Sequence, residues 1–226
     1  IRKFPFKNAK VVLPLKLGKY FKRYKDVNEI DWYDVKKIGV EGKGWNDTTK
    51  YFDRLPSKAQ GFVRDRVWDL SRDSTGMCVR FISESLNVYV RYELSRKSLS
   101  MSHMAATGHS GVDLYAQDGM GIDRWVSVVR PDKQKMYSTI AKDLAPGARR
   151  YTLYLPLRNG VKSLEIGVIK GKPFQALSPR TERPIVFYGT SIMHGACASR
   201  PGMAFPSILG RRLKKPTINL GFAGNG

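Results

Sequence analysis

The sequence predicts two units of different class: an antiparallel β-sandwich over residues 31–175, then the first βαβ unit of an α/β domain over 184–226. Three observations carry this reading. Apolar and polar residues alternate with period two in several short runs, and turn dipeptides separate those runs. Between them lies no helical periodicity long enough to make crossover helices. Finally, the continuous apolar run Pro184-Ile185-Val186-Phe187-Tyr188 changes the grammar to that of a strand covered on both faces.

Taken in order, residues 1–30 form a basic leader. The first 25 residues hold nine of the forty Lys and Arg and no acid, although the whole chain carries a net charge of +21. Such a block is expected to stay solvated. It could contact an anionic surface or nucleic acid, but without sequence specificity. The apolar run Val11–Leu15 is interrupted by Pro14 and is shorter than the roughly 7–15 residues of a signal-peptide core. A stretch of about 20 apolar residues, as a membrane span needs, is absent. No phosphate-binding loop, zinc finger or RNA-recognition signature is present, and no cofactor is implied.

Strands are expected at Cys78–Ile82, Leu86–Leu94, Trp125–Val129, Tyr151–Leu157 and Leu164–Val168. The clearest is Leu86–Leu94, where Leu86, Val88, Val90, Tyr92 and Leu94 alternate with Asn87, Tyr89, Arg91 and Glu93. Asp118-Gly119, Pro146-Gly147, Asn159-Gly160 and Gly171-Lys172-Pro173 supply turns. Residues 176–183 are expected to be a linker, with Pro179, Ser178 and Thr181. Beyond it, Ala204–Lys214 predicts a helix with Ile208, Leu209 and Leu213 on one side and cations in its last turn. Thr217–Leu220 predicts a second strand, which runs into the glycine-rich Gly221–Gly226.

Chemistry is expected at Ser191. Its hydroxyl follows a buried strand at the carboxyl end of a parallel sheet, where α/β folds place their sites. Gly189 permits a sharp turn beneath it. A serine nucleophile needs a base for its proton and N–H donors for the oxyanion, and Gly224 could supply one such donor. A hydrogen-bonding turn serine is the plain alternative.

Tyr188-Gly189-Thr190-Ser191-Ile192, Gly195–Gly202 and Asn219–Gly226 together resemble the opening of an SGNH (GDSL-like) acylhydrolase domain. Upstream, Gly111-Val112-Asp113-Leu114-Tyr115 resembles the GxDLY motif of the β-rich, jelly-roll-like domain that precedes this esterase group. Glu41–Trp45, Asp53–Pro56 and Tyr154–Leu157 also look like that domain, so the resemblance spans residues 31–226 in matching order. It implies a serine esterase acting on small esters or acylated glycans, in the periplasm or outside the cell. In it Ser191 is the nucleophile and an oxyanion donor, and Gly224 is a second donor. Thr190 stands where the family usually has Asp. The family's third-block Asn and last-block Asp and His come far downstream and are not among these residues. The chain is therefore expected to be an amino-terminal part with little activity of its own.

Other residues imitate site chemistry. Gly44-Trp45-Asn46-Asp47 spells a third-block pattern but precedes the serine, and a turn is expected there. His194, three residues after Ser191, suits a substrate pocket better than the role of base. His103, His109 and Asp113 are too poorly spaced for a metal site, and Asp113 suits a buried hydrogen-bond acceptor. A Cys78–Cys197 bond would have to join the two units. Trp32, Trp45, Trp68 and Trp125 could form a sugar-stacking face, the basis of the alternative reading as a carbohydrate-binding module.

Overall fold

The computed structural model describes residues 29–226. The basic leader falls outside the described residues except at its end, where the first strand already begins at Ile30. Among the described residues the order is β1 (Ile30–Asp34), α1 (Val35–Ile38), α2 (Asp65–Ser71), β2 (Cys78–Ser83), β3 (Val88–Leu94), α3 (Ala106–His109), β4 (Asp113–Gln117) and β5 (Asp123–Val128). There follow β6 (Lys135–Ala141), β7 (Arg149–Tyr154), β8 (Val161–Ile169), β9 (Phe174–Leu177), β10 (Ile185–Gly189), α4 (Ser191–His194), α5 (Phe205–Leu213) and β11 (Thr217–Gly221).

Two antiparallel sheets, ordered β1-β8-β3-β6 and β5-β4-β7-β2-β9, make the sandwich. Period two decides which residues meet between them. Val88, Val90, Tyr92 and Leu94 of β3 are buried in one core with Leu164 and Ile166 of β8 and with Phe81, Leu114, Tyr151 and Leu153 of the facing sheet. On the outer face of the same strands, Arg91 pairs with Glu165 directly across the ladder, its Nη2 donating to Oε1 at 2.8 Å. The alternation in the sequence therefore reported the core correctly.

Two strand expectations shift. Tyr151–Leu157 ends as a strand at Tyr154, because Pro156 has no N–H to continue a ladder. Leu155 and Leu157 stay fully buried and donate instead to Met77 O and Gly108 O. The expected linker also starts too early, because Phe174–Leu177 pairs with β2 as the edge strand β9.

In the second unit β10 and β11 are parallel and in register from Ile185↔Thr217 to Gly189↔Gly221. The helix α5 follows the predicted span, with Phe205 against Phe187 at 5.5 Å. The expectation that β10 is covered on both faces is corrected. Val186 is 54% and Tyr188 67% exposed, because α4 packs on one side of the pair and, on the other, Val67 and Trp68 of α2 reach only Leu220 of β11.

Leu153 lies at the centre of β7 with no exposed surface. Leu153→Ala is expected to lower unfolding stability by about 2–5 kcal/mol in urea titrations, against less than about 0.5 kcal/mol for exposed Lys133→Ala.

Candidate active site

The site grows from the ends of the two parallel strands. Ser191 opens α4 directly after β10 and is partly exposed. The first N–H groups of a helix have no intrahelical acceptor, which leaves the Ser191 amide available. The turn after β11 lies beside it: Phe222 N–H donates to Gly189 O at 2.8 Å, and Asn225 N–H closes the turn on Phe222 O at 2.7 Å. Gly224 occupies that turn at φ +72, a conformation that favours glycine, and the space where a Cβ would stand is open. Among the described residues, neither the Gly224 N–H nor the Ser191 hydroxyl has a hydrogen-bond partner. A hydroxyl and two unspent N–H groups thus lie at the carboxyl ends of the two strands. Their closeness depends on Gly221, where a Cβ would fall 2.1 Å from His194 N and push α4 off the strand.

His194 is placed differently from its expected role in a substrate pocket. It has no exposed surface. Its Nδ1 faces Arg158 Nη1 at 3.1 Å and Ala223 N at 3.3 Å, and both of these can only donate. Nδ1 is therefore the acceptor, and Nε2 carries the proton towards Asp73 Oδ2 at 3.3 Å. Burial, reinforced by nearby Arg54, lowers the ring's pKa to about 4 and keeps it neutral. With Nδ1 engaged, Nε2 turned to Asp73 without a hydrogen bond and the ring enclosed, His194 is not set against the Ser191 hydroxyl. Burial works against the Asp73 carboxylate too, but His194, Arg96 and Arg54 outweigh it and hold it below its ordinary range.

Arg54 completes this junction. It is 2% exposed and carries hydrogen bonds into both units: Nε to Asp73 O, Nη2 to Leu70 O, and Nη1 to Asn219 O and Gly221 O, at 2.8–3.0 Å. Its guanidinium lies 4.8 Å from the Phe222 ring centroid. Sequence reasoning missed Arg54 and Asp73 as parts of the site. The one available signal was a lone cation before Leu55-Pro56, and nothing in its neighbourhood names partners 165 and 167 residues away.

Asp113 is the buried acceptor expected of it. It takes hydrogen bonds from Gly202 N–H at 2.8 Å and from Trp125 Nε1 at 3.0 Å, and burial pushes its carboxyl up to about 6. His109 turns to Ser110 Oγ at 2.8 Å, and no group of three or more potential metal ligands occurs among the described residues. Gly44 lies against Ile218, towards the start of β11 and away from the serine's end, in the turn expected there. Cys78 is buried and Cys197 exposed, both free. The tryptophans do not share a face. Trp45 and Trp68 pack around Leu55, Leu70 and Phe222, while Trp32 lies on β1 and Trp125 on β5, in opposite sheets. No helix among the described residues is long and apolar enough to cross a membrane.

The GxDLY family, described as the N-terminus of the SGNH-hydrolase esterase type, matches residues 30–174. The chain belongs to this family. Residues 182–226 match the GDSL-like lipase/acylhydrolase family, in agreement with the resemblance around Ser191. A crystal structure from Bacteroides ovatus ATCC 8483, described as a GDSL-like lipase, is 28% identical and superposes with a TM-score of 0.82. The match covers 87% of this chain and 58% of that one, so the chain spans well under two thirds of that relative's length. Two more distant structures share the fold. A salicylyl-acyltransferase from a tetracycline biosynthetic pathway has a TM-score of 0.58 at 17% identity, covering 86% of this chain and 52% of its own. A family two carbohydrate esterase from Cellvibrio japonicus has 0.54 at 10%, covering 87% and 53%. The search of curated proteins finds no match.

Neutral His194 gives a pH dependence of defined sign. The ring titrates near 4 when folded and at its ordinary 6.5 when unfolded, so the unfolded chain binds more protons between those values. Stability is therefore full above pH 6.5 and is lost as pH falls towards 4. Asp73 acts in the same direction, whereas Asp113 opposes it between about pH 4 and 6. His194→Gln is expected to shrink the difference in unfolding free energy between about pH 6.5 and 4.5 by about 2 kcal/mol in urea titrations. An unchanged difference would mean that His194 is not held neutral.

Proposed function

We propose that this chain carries the nucleophile and two oxyanion donors of a serine ester hydrolase. The observation that supports this most directly is that the Ser191 hydroxyl and the unspent N–H groups of Ser191 and Gly224 all lie at the carboxyl ends of the paired strands β10 and β11. Ser191 Oγ attacks the ester carbonyl carbon and passes its proton to a general base. The carbonyl oxygen becomes an oxyanion held by the two N–H groups, and the alcohol leaves with a proton to give an acyl-serine. Water then releases the acid and restores the serine. None of the described residues is placed against Ser191 Oγ as that base: His194 is enclosed, with Nδ1 on Arg158 and Ala223 and Nε2 facing Asp73. The substrates are carboxylic esters, with acylated carbohydrates the favoured class, in keeping with the carbohydrate esterase that shares the fold.

The natural full-length protein is expected to hydrolyse p-nitrophenyl acetate, and Ser191→Ala to lower kcat by about 10⁴-fold or more. Turnover by that variant at the parent rate would remove Ser191 from the reaction.

A further inference from the structure

We propose that Arg54, contributed by the amino-terminal sandwich, is a positioning residue for the oxyanion site: it fixes the turn that carries Gly224. This rests on the reading of Ser191 and Gly224 given above, and it assigns the sandwich a part in the chemistry.

The bonds of Arg54 divide evenly. Two of them, to Asp73 O and Leu70 O, anchor the guanidinium in the loop around α2. The other two, both from Nη1, hold Asn219 O and Gly221 O, the last stretch of β11 before the turn. Because the guanidinium is planar and its N–H directions are fixed, four carbonyls bound by one fork have little freedom relative to one another. The same plane covers Phe222, the first residue of the turn, and His194 then takes the next amide, Ala223 N–H, on its Nδ1. Gly221, Phe222 and Ala223 are thus each held in sequence. Gly224 makes no hydrogen bond of its own, so the direction of its N–H is inherited from those three residues and from the Asn225–Phe222 bond behind it.

A cation is a costly way to fill such a space. A buried charge must recover its hydration from fixed partners, and an apolar side chain of similar volume often stabilises a core as well or better. What an apolar residue cannot do is hold two carbonyls of β11 at set angles to two carbonyls of the sandwich. The charge is retained at neutral pH although burial lowers its pKa to about 10.

Arg54→Lys keeps the charge but offers a single nitrogen in place of the fork. In the full-length protein, with active sites counted by a fluorophosphonate, kcat for p-nitrophenyl acetate is expected to fall about 10–100-fold. That is less than the 10²–10³ of losing an oxyanion donor outright. KM should stay within about threefold, because donors aimed at the transition state act on kcat. In the 226-residue chain, exchange of the bonded amides of Ala223 and Asn225 should quicken about tenfold while β3 amides stay unchanged, a selectivity that general destabilisation does not produce. Phe222→Leu removes the ring but none of the hydrogen bonds, and should give smaller changes of the same kind. It carries the test if Arg54→Lys does not fold. Unchanged kcat alongside Ser191-dependent activity, or unchanged exchange in the turn, overturns the inference. If the parent shows no Ser191-dependent turnover, the functional reading fails, and exchange alone decides whether Arg54 holds the turn.

Discussion

A guanidinium buried between two structural units must find acceptors for its N–H groups or lose several kcal/mol of solvation, and in this protein those acceptors are main-chain carbonyls on both sides of the junction. Arg54 cannot be satisfied by the sandwich alone, nor by the parallel strand pair alone. Neutral His194 and ionised Asp73 complete the arrangement, one lending its lone pair to Ala223 and the other its charge to the cluster of arginines. The sandwich and the α/β unit are therefore locked at the place where the candidate nucleophile and oxyanion turn lie.

Close backbone approach makes the locking possible. A Cβ at Gly202 would sit 2.3 Å from the Tyr115 ring, so glycine at this point lets the loop before α5 lie against β4, where Asp113 receives its N–H. This gives the motif Gly111-Val112-Asp113-Leu114-Tyr115 a physical meaning. Leu114 faces the sandwich core, while Asp113 and Tyr115 face the second unit. One strand thus serves two packings at once, which explains why an aspartate is buried at the start of β4.

The sandwich was readable because β2, β3, β7 and β8 each turn one face fully into the core and so leave a period-two trace in the sequence. Strand β6 left little trace, because exposed Lys135, Tyr137 and Thr139 on an edge strand carry no pattern that demands burial. Strand β9 was hidden among prolines and a turn. The covered-strand pattern of Ile185–Tyr188 was recognised correctly as a parallel strand, yet half of its apolar side chains face outward here. At the site, Ser191 and Gly224 could be found from strand-end position and family resemblance. Arg54, Asp73 and Arg158 could not, since their roles arise from contacts across the whole chain that no local spacing encodes. His194 was singled out by proximity to the serine, and proximity in sequence says nothing about which way an enclosed ring points.

A crystal structure of the natural protein after reaction with a fluorophosphonate ester tests most directly whether the ends of β10 and β11 are built to receive an oxyanion. Phosphorus should be bonded to Ser191 Oγ, with its oxygen about 2.7–3.1 Å from the N–H groups of Ser191 and Gly224. Arg54 should still bridge Asn219 and Gly221 in that adduct. An adduct on another residue, or a phosphoryl oxygen turned away from Gly224, would contradict that role.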